Sequence, residues 1–112
     1  MAEADGDVID LSHLDRQTMG DVSLQVEVLK LFAQQIQGKA EGLDAGRSDL
    51  RDFAHSIKGA ARGIGALRVA RAAEALEQCE GDAAALIEAL KQEMRLAVVE
   101  VETILAARGA GV

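Results

Sequence analysis

Residues 50–65 read LRDFAHSIKGAARGIG and contain the pattern that decides the fold. Apolar side chains recur there at intervals of three and four residues, at Leu50, Phe53, Ala54, Ile57, Ala61 and Ile64. At about 100° per residue, these positions fall on one side of an α-helix. Gly63 and Gly65 follow, and closely spaced glycines are typical of a helix C-terminus. The segment therefore predicts an amphipathic helix with one buried face.

The same spacing continues on both sides of this central helix. A short helix carrying Leu11, Leu14 and Met19 is predicted before it, with Ser12 as its N-cap and Gly20 as its stop. A long helix capped by Asp21 should follow, with an apolar stripe at Leu24, Val28, Leu31, Phe32, Ile36, Ala40 and Leu43. The central helix is predicted to be capped by Ser48. Two further helices are predicted, at residues 67–79 and after the turn at residues 80–82.

These elements predict a fold class. The chain contains no proline and no tyrosine or tryptophan, and alternating apolar and polar runs, which would indicate strands, are absent. Short links between long amphipathic helices favour antiparallel neighbours. We predict a single all-α domain over residues 1–112, an antiparallel up-down four-helix bundle with a short additional N-terminal helix. Its ordered core should span about residues 8–107, with flexible tails at residues 1–7 and 108–112.

The distribution of charge restricts the possible partners. The net charge of −7 disfavours a nucleic acid, whose phosphates attract basic surfaces. Residues 47–71, which we call the basic segment, nevertheless carry six basic and two acidic side chains. We expect this segment to meet a negatively charged partner, although a solvated helix face with a chance excess of charge is the alternative. The sequence shows no secretory signal and no membrane-spanning run, so we expect a cytoplasmic protein that does not bind a membrane.

His55 lies outside the apolar face of the central helix, at about 140° from Leu50 on the helical wheel. For His55 alone, a histidine exposed by chance would be the simplest interpretation. Gly59 argues against it, because a glycine inside a helix costs about 1 kcal/mol relative to alanine and the helical pattern continues to Ile64. Bare surface one turn beyond His55 would let the backbone of another protein approach the imidazole.

Lys58 and Arg62 place cations on the same side of the helix as His55. A neutral imidazole offers a nucleophilic nitrogen lone pair, and phosphoryl transfer depends on positioning and on stabilising the charge of the phosphoryl oxygens. We therefore predict that His55 accepts a phosphoryl group, Lys58 stabilises its charge and Gly59 leaves clearance. No glycine-rich ATP loop is present, and no second acid, base or metal ligand accompanies His55. We expect no enzyme activity, cofactor or metal in the chain itself.

The segment 54–66, AHSIKGAARGIGA, resembles the signature of histidine-containing phosphotransfer (HPt) domains. The resemblance covers roughly residues 8–107 and includes the later positions Val69, Ala73, Leu76 and Glu77. Its specific part is the pattern His-x-x-Lys-Gly with a second glycine, Gly65, six residues after the first. The position after Gly59 is often serine in the family and is Ala60 here, so one hydroxyl contact is missing.

The resemblance implies a four-helix bundle phosphorylated on the outer ring nitrogen of His55, with Gly65 making the turn into the next helix. It also implies a monomer that relays phosphoryl groups between receiver-domain aspartates of response regulators and of a hybrid histidine kinase. Mg²⁺ would bind in the acidic pocket of the partner receiver domain only. Partner contacts are expected at Arg51, Ser56, Arg62, Gly63 and Arg68.

Two other functions stay open at this point. The chain could be a non-catalytic adaptor of the same fold that docks a signalling partner, or the phosphoacceptor domain excised from a chemotaxis-type histidine kinase. Ser56 favours a carrier, because the phosphoacceptor histidine of kinase dimerisation helices is commonly followed by an acid. His13 has no Lys-Gly neighbour and is interpreted as a surface residue, and Cys79 as a small core residue.

Overall fold

The computed structural model describes residues 7–109, which form five helices and no strand. The helices are α1 (Leu11–Gln17), α2 (Val22–Gly42), α3 (Leu50–Ile64), α4 (Leu67–Glu77) and α5 (Ala84–Ala107). The all-α prediction is confirmed. The tails predicted to be flexible fall largely on residues 1–6 and 110–112, which lie outside the described residues. Between residues 7 and 109, no helix is both long and apolar enough to cross a membrane.

Helices α2 to α5 form a ring around one core, in which α3 and α5 each pack against both α2 and α4. Pairs of contacting residues show that α2 and α3 run in opposite directions, as do α3 and α4. Lys39 bonds to Ser56 while Gly42, further along α2, approaches Phe53 at an earlier position of α3. The ion pairs between α3 and α4 show the same antiparallel order. Lys58 pairs with Glu77, whereas Arg62, later on α3, pairs with Glu74, which is earlier on α4.

The core is built almost wholly from aliphatic side chains. Its largest fully buried members are Leu14, Leu29, Ile36, Ile57, Leu90, Met94, Val69 and Val101. Alanines fill the narrower space where α3 meets α4, at Ala54, Ala61, Ala70 and Ala73. These small residues let the two helices approach closely, so that charged side chains on their outer edges can meet across the groove.

Gly42 explains how α2 approaches the start of α3. A Cβ added there would lie 3.1 Å from both the Phe53 ring and the Arg47 guanidinium. Arg47 stacks on the Phe53 ring, 3.7 Å from its centroid, and donates to the Gly42 carbonyl (3.0 Å). The glycine therefore makes room for a cation–π contact that joins the end of α2 to α3.

Two predicted helix caps are wrong and one is confirmed. The N-cap of α1 is Asp10 instead of Ser12, and its carboxylate accepts the His13 N–H (3.2 Å). Asp21 caps α2 by accepting the Leu24 N–H (3.1 Å), as predicted. Ser48 does not cap α3: the N-cap is Asp49, whose carboxylate makes no capping bond because Arg47 binds it.

Four apolar side chains predicted to face the core are exposed, and the first of them is Leu11 at the start of α1, which is 47% exposed. Met19 follows the end of α1 in a left-handed turn (φ 52°) and is 93% exposed. Leu24 and Leu31 lie on the outer side of α2, whose buried positions are Gln25, Leu29, Phe32 and Ile36. The buried amide of Gln25 donates to Asp15 and Thr18, which satisfies a polar group that the hydrophobic pattern could not assign to the core.

Gly65 ends α3 with a left-handed conformation (φ 82°), confirming the predicted turn into α4. Its carbonyl accepts the Asp10 N–H (2.8 Å), which ties the entrance of α1 to the α3–α4 turn. A Cβ at this position would lie 2.8 Å from the Asp10 carbonyl oxygen. Both the backbone angle and the close approach therefore require glycine.

Candidate functional site

His55 stands on the outward face of α3, and 66% of its side chain is exposed. Its Nδ1 lies 2.7 Å from Oε2 of Glu77, which α4 presents from the opposite side of the α3–α4 groove. An ionised carboxylate can only accept a hydrogen bond, so Nδ1 carries the proton. The lone pair of the neutral ring is then on Nε2, the nitrogen turned away from Glu77.

Glu77 is held from two sides. Nζ of Lys58 lies 2.6 Å from its Oε1, while Nδ1 of His55 meets its Oε2. Hydrogen bonds from Lys58, and secondarily from His55, lower the pKa of the Glu77 carboxyl below its ordinary value. The carboxylate is thus ionised at neutral pH, as its role as acceptor for His55 requires.

Lys58 is directed at α4. Its side chain is only 13% exposed, and its ammonium also lies 3.8 Å from Glu74. The ammonium therefore neutralises Glu77 and fixes its position beside His55. From the sequence, Glu77 is indicated only by the family resemblance. Its separation of 22 positions from His55 gave no local signal of contact.

Two glycines clear the surface beside His55. Gly59 and Gly63 are exposed, and a Cβ added at either position would meet no atom within 4 Å. They lie one and two turns beyond the histidine on α3. The surface of α3 next to the imidazole is accordingly bare backbone that another protein can approach closely.

The other residues expected at the partner surface are distributed unevenly. Ser56 donates to the Phe53 carbonyl (2.7 Å) and accepts from Lys39 (3.1 Å), which brings α2 close to His55. Arg62 pairs with Glu74 (3.3 Å) on the side of α4. Arg68 lies at the opposite end of α4 from Glu77, where it pairs with Glu93 of α5 (2.9 Å).

His13, interpreted from sequence as a surface residue, is half-buried, and that interpretation is wrong in part. Its ring packs against Gly65, and its Nε2 is buried without a hydrogen-bond partner among the described residues. Cys79 is half-buried against the core, close to its predicted position. Across residues 7–109, no three His, Cys, Asp or Glu side chains group together in a way that could hold a metal ion.

The described helices thus form a bundle that presents one exposed histidine, held by a carboxylate, on the surface of α3. The family model of the Hpt domain matches residues 23–107. The chain belongs to this family of histidine-containing phosphotransfer domains, as the resemblance predicts. Hpt domains carry phosphoryl groups in two-component signalling, have no kinase domain of their own, and interact with receiver domains. No curated protein and no solved structure matches the chain.

Proposed function

We propose that this chain relays a phosphoryl group between receiver-domain aspartates through Nε2 of His55. The observation that carries the proposal is the 2.7 Å contact between Nδ1 of His55 and the Glu77 carboxylate on a largely exposed ring. This contact holds the proton on Nδ1 and leaves the outward nitrogen nucleophilic.

The transfer uses the imidazole of this chain together with the aspartyl phosphate and the Mg²⁺ of the receiver domain. The Nε2 lone pair attacks the phosphorus of an aspartyl phosphate in line, a P–N bond forms, and the P–O bond to the aspartate breaks. The imidazole ring becomes cationic while its proton stays on Nδ1, beside the anionic Glu77. Since the acceptor ring gains positive charge, the carboxylate stabilises the product, and the reverse sequence returns the phosphoryl group to a second receiver domain.

Lys58 contributes by holding Glu77. The Glu77–Lys58 ion pair fixes the carboxylate against the imidazole, so that His55 does not have to be oriented during the encounter. Gly59 and Gly63 supply the clearance that a receiver domain needs to bring its aspartate in line with Nε2. Ser56 and Arg62 flank this approach from the sides of α2 and α4.

The proposal includes where and in what form the chain acts. Its partners would be receiver domains of response regulators and of a hybrid histidine kinase, each bringing its own Mg²⁺. We infer that the relay takes place in the cytoplasm and that the monomer is the active form. The scheme requires one His55 per receiver aspartate and needs no second copy of the chain.

The deciding experiment is incubation of the pure protein with a panel of phosphorylated receiver domains. We expect rapid labelling of the wild-type chain, with an acid-labile and base-stable label as a phosphoramidate requires. A chain that binds receiver domains but never takes up label would be an adaptor. A chain that is labelled only by the ATP-binding domain of a chemotaxis-type kinase would be the phosphoacceptor domain of such a kinase. Either result would overturn the relay proposal.

A further inference from the structure

The cations of the basic segment are not equally available. Lys58, Arg62 and Arg68 are engaged by carboxylates of α4 and α5, and Arg47 is engaged by Asp49 and the Phe53 ring. Arg71 also has an interaction partner. Arg51 is the exception: it is exposed and makes no hydrogen bond or ion pair with any residue between 7 and 109.

Arg51 lies at the edge of a polar cleft next to His55. The cleft has a volume of about 370 Å³ and is lined by Arg51, Lys58, Glu77, Gln78 and Glu80. Within it, the charges of Lys58 and Glu77 cancel at a separation of 2.6 Å. The guanidinium of Arg51 and the carboxylate of Glu80 remain outside ion-pair distance of each other. The cleft therefore contains one cation, Arg51, that no carboxylate of the described residues binds and that an incoming anion can contact.

Arg51 is also a neighbour of His55 on the surface of α3. It precedes His55 by four residues on α3, so the two side chains share one face of the helix. A helical side chain extends over the turn before its own Cα, which directs the imidazole toward the turn that contains Arg51. A guanidinium presents several N–H donors in a plane and binds phosphoryl oxygens in a bidentate way.

We propose that Arg51, rather than Lys58, contacts the phosphoryl group during transfer to and from Nε2 of His55. This inference rests on the proposed phosphorelay function. Arg51 donates to two phosphoryl oxygens as the P–N bond forms and the P–O bond to the receiver aspartate breaks, and it gains or loses no proton. Lys58 acts as a positioning residue, because its ammonium reaches the reaction only through Glu77.

The first test measures single-turnover transfer from a phosphorylated receiver domain at saturating receiver concentration. Arg51→Ala should slow the saturated rate at least roughly tenfold, as expected when a donor to developing phosphoryl charge is removed, and Arg51→Lys should restore part of it. The matched control is Arg95→Ala on α5, which removes the same charge outside the site. A loss confined to the receiver concentration needed for saturation would overturn the proposal, because it would make Arg51 a docking residue only.

The second test observes the contact in the phosphoprotein itself. Wild type and variants are phosphorylated on His55 with phosphoramidate, and the ³¹P resonance is titrated with pH. Arg51→Ala should move the phosphoryl titration to higher pH, since a neighbouring cation stabilises the dianion, while Lys58→Ala should move it less. An identical titration in wild type and Arg51→Ala would overturn the assignment. If wild type fails to take phosphate from any receiver domain, the proposed function fails instead, and the two results cannot be confused.

Discussion

At the scale of single residues, reactivity depends on His55. Replacing it in His55→Gln should abolish phosphoryl uptake from every receiver domain, because glutamine has no nucleophilic ring nitrogen. The melting temperature should stay within a few degrees of wild type, since the imidazole is largely exposed and contributes no core contact. Labelling with phosphorylated receiver domains and thermal unfolding by circular dichroism would measure both. Retained label in the variant would place the phosphoacceptor elsewhere.

Two substitutions at Gly59 test its clearance role in transfer separately from its effect on the stability of the fold. Gly59→Ala should stabilise the fold by up to about 1 kcal/mol, because alanine has the higher helix propensity and the added Cβ meets nothing. Gly59→Gln should instead block transfer by filling the approach to His55. Gly38→Ala on α2 is the matched control for stability, because that glycine is also helical and open. Transfer by Gly59→Gln at the wild-type rate would refute the clearance role.

Glu77 should make stability depend on pH in one direction. Its folded pKa is lowered below the ordinary value of 4.5, first by Lys58 and then by His55, so the folded state binds fewer protons there than the unfolded state. The ion pair's stabilisation is therefore present above about pH 4.5 and is lost as pH falls through the folded pKa.

Urea unfolding of wild type and Glu77→Gln at several pH values would measure this effect. The wild type should be the more stable protein at neutral pH, and the difference should shrink in acid, where the carboxyl is protonated. Glu88→Gln, at an exposed position of α5, provides a control without an ion pair in the described structure. A difference that does not change with pH would show that the carboxylate charge is not involved.

At the scale of elements, the α3–α4 turn depends on Gly65. Gly65→Ala should destabilise the fold by roughly 1–3 kcal/mol, because alanine is strained at a φ of 82° and its Cβ would approach the Asp10 carbonyl oxygen. Gly63→Ala, two residues earlier in open helical surface, should be neutral or slightly stabilising. Chemical denaturation of both variants would compare them directly. Equal stability of the two would contradict the requirement for glycine at residue 65.

The helices themselves could be predicted from the sequence, because the spacing of apolar residues indicates which face of a helix is buried. The pattern placed α3 and its exposed histidine correctly, including the stop at Gly65. It failed for Leu24 and Leu31, because α2 carries apolar residues on two faces and only packing against α3 and α5 selects one. Ser48 failed as a cap because α3 begins at Leu50, directly after Asp49, and the ion pair between Asp49 and Arg47 could not be read from helix-cap preferences.

The candidate site could be predicted only in part from the sequence, because some of its residues lie far apart along the chain. Spacing within α3 identified His55, Lys58 and Gly59, since all three lie on one helix. The partner of both charged side chains is Glu77, which belongs to α4 and reaches them only through the packing of two helices. The local pattern therefore predicted that Lys58 stabilises the phosphoryl charge, but it gave no sign that a carboxylate binds this lysine, as Glu77 does in the structure.

At the scale of the whole molecule, the basic segment should steer association with acidic receiver surfaces. The association rate constant should fall as salt is raised, because the Debye length shortens to about 8 Å at physiological ionic strength. Arg62→Ala should lower this rate constant and flatten its dependence on salt. Arg95→Ala, with the same change in net charge on α5, should do so less. Stopped-flow measurements over a series of salt concentrations would separate these effects, and indifference to salt would contradict electrostatic steering.

The electrostatic field of the basic segment is weaker than its sequence composition indicates. Glu74, Glu77 and Glu93 lie outside the basic segment in sequence but pair with Lys58, Arg62 and Arg68 in space. Folding thus compensates several of the segment's charges with acids from α4 and α5. Steering should therefore depend most on the cations that remain exposed on α3, with Arg51 foremost among them.

Because His55 contacts Glu77, the nucleophilicity of the imidazole depends on two helices, α3 and α4. A peptide of residues 50–65 contains every residue of the motif, yet it lacks the Glu77 carboxylate that selects the tautomer of the His55 ring. Grafting the motif onto an unrelated helix would transfer its residue sequence but not the reactivity of its histidine. Conversely, substitutions in α1, α2 and α5 should leave the chemistry intact, provided that they preserve the register of the hairpin of α3 and α4.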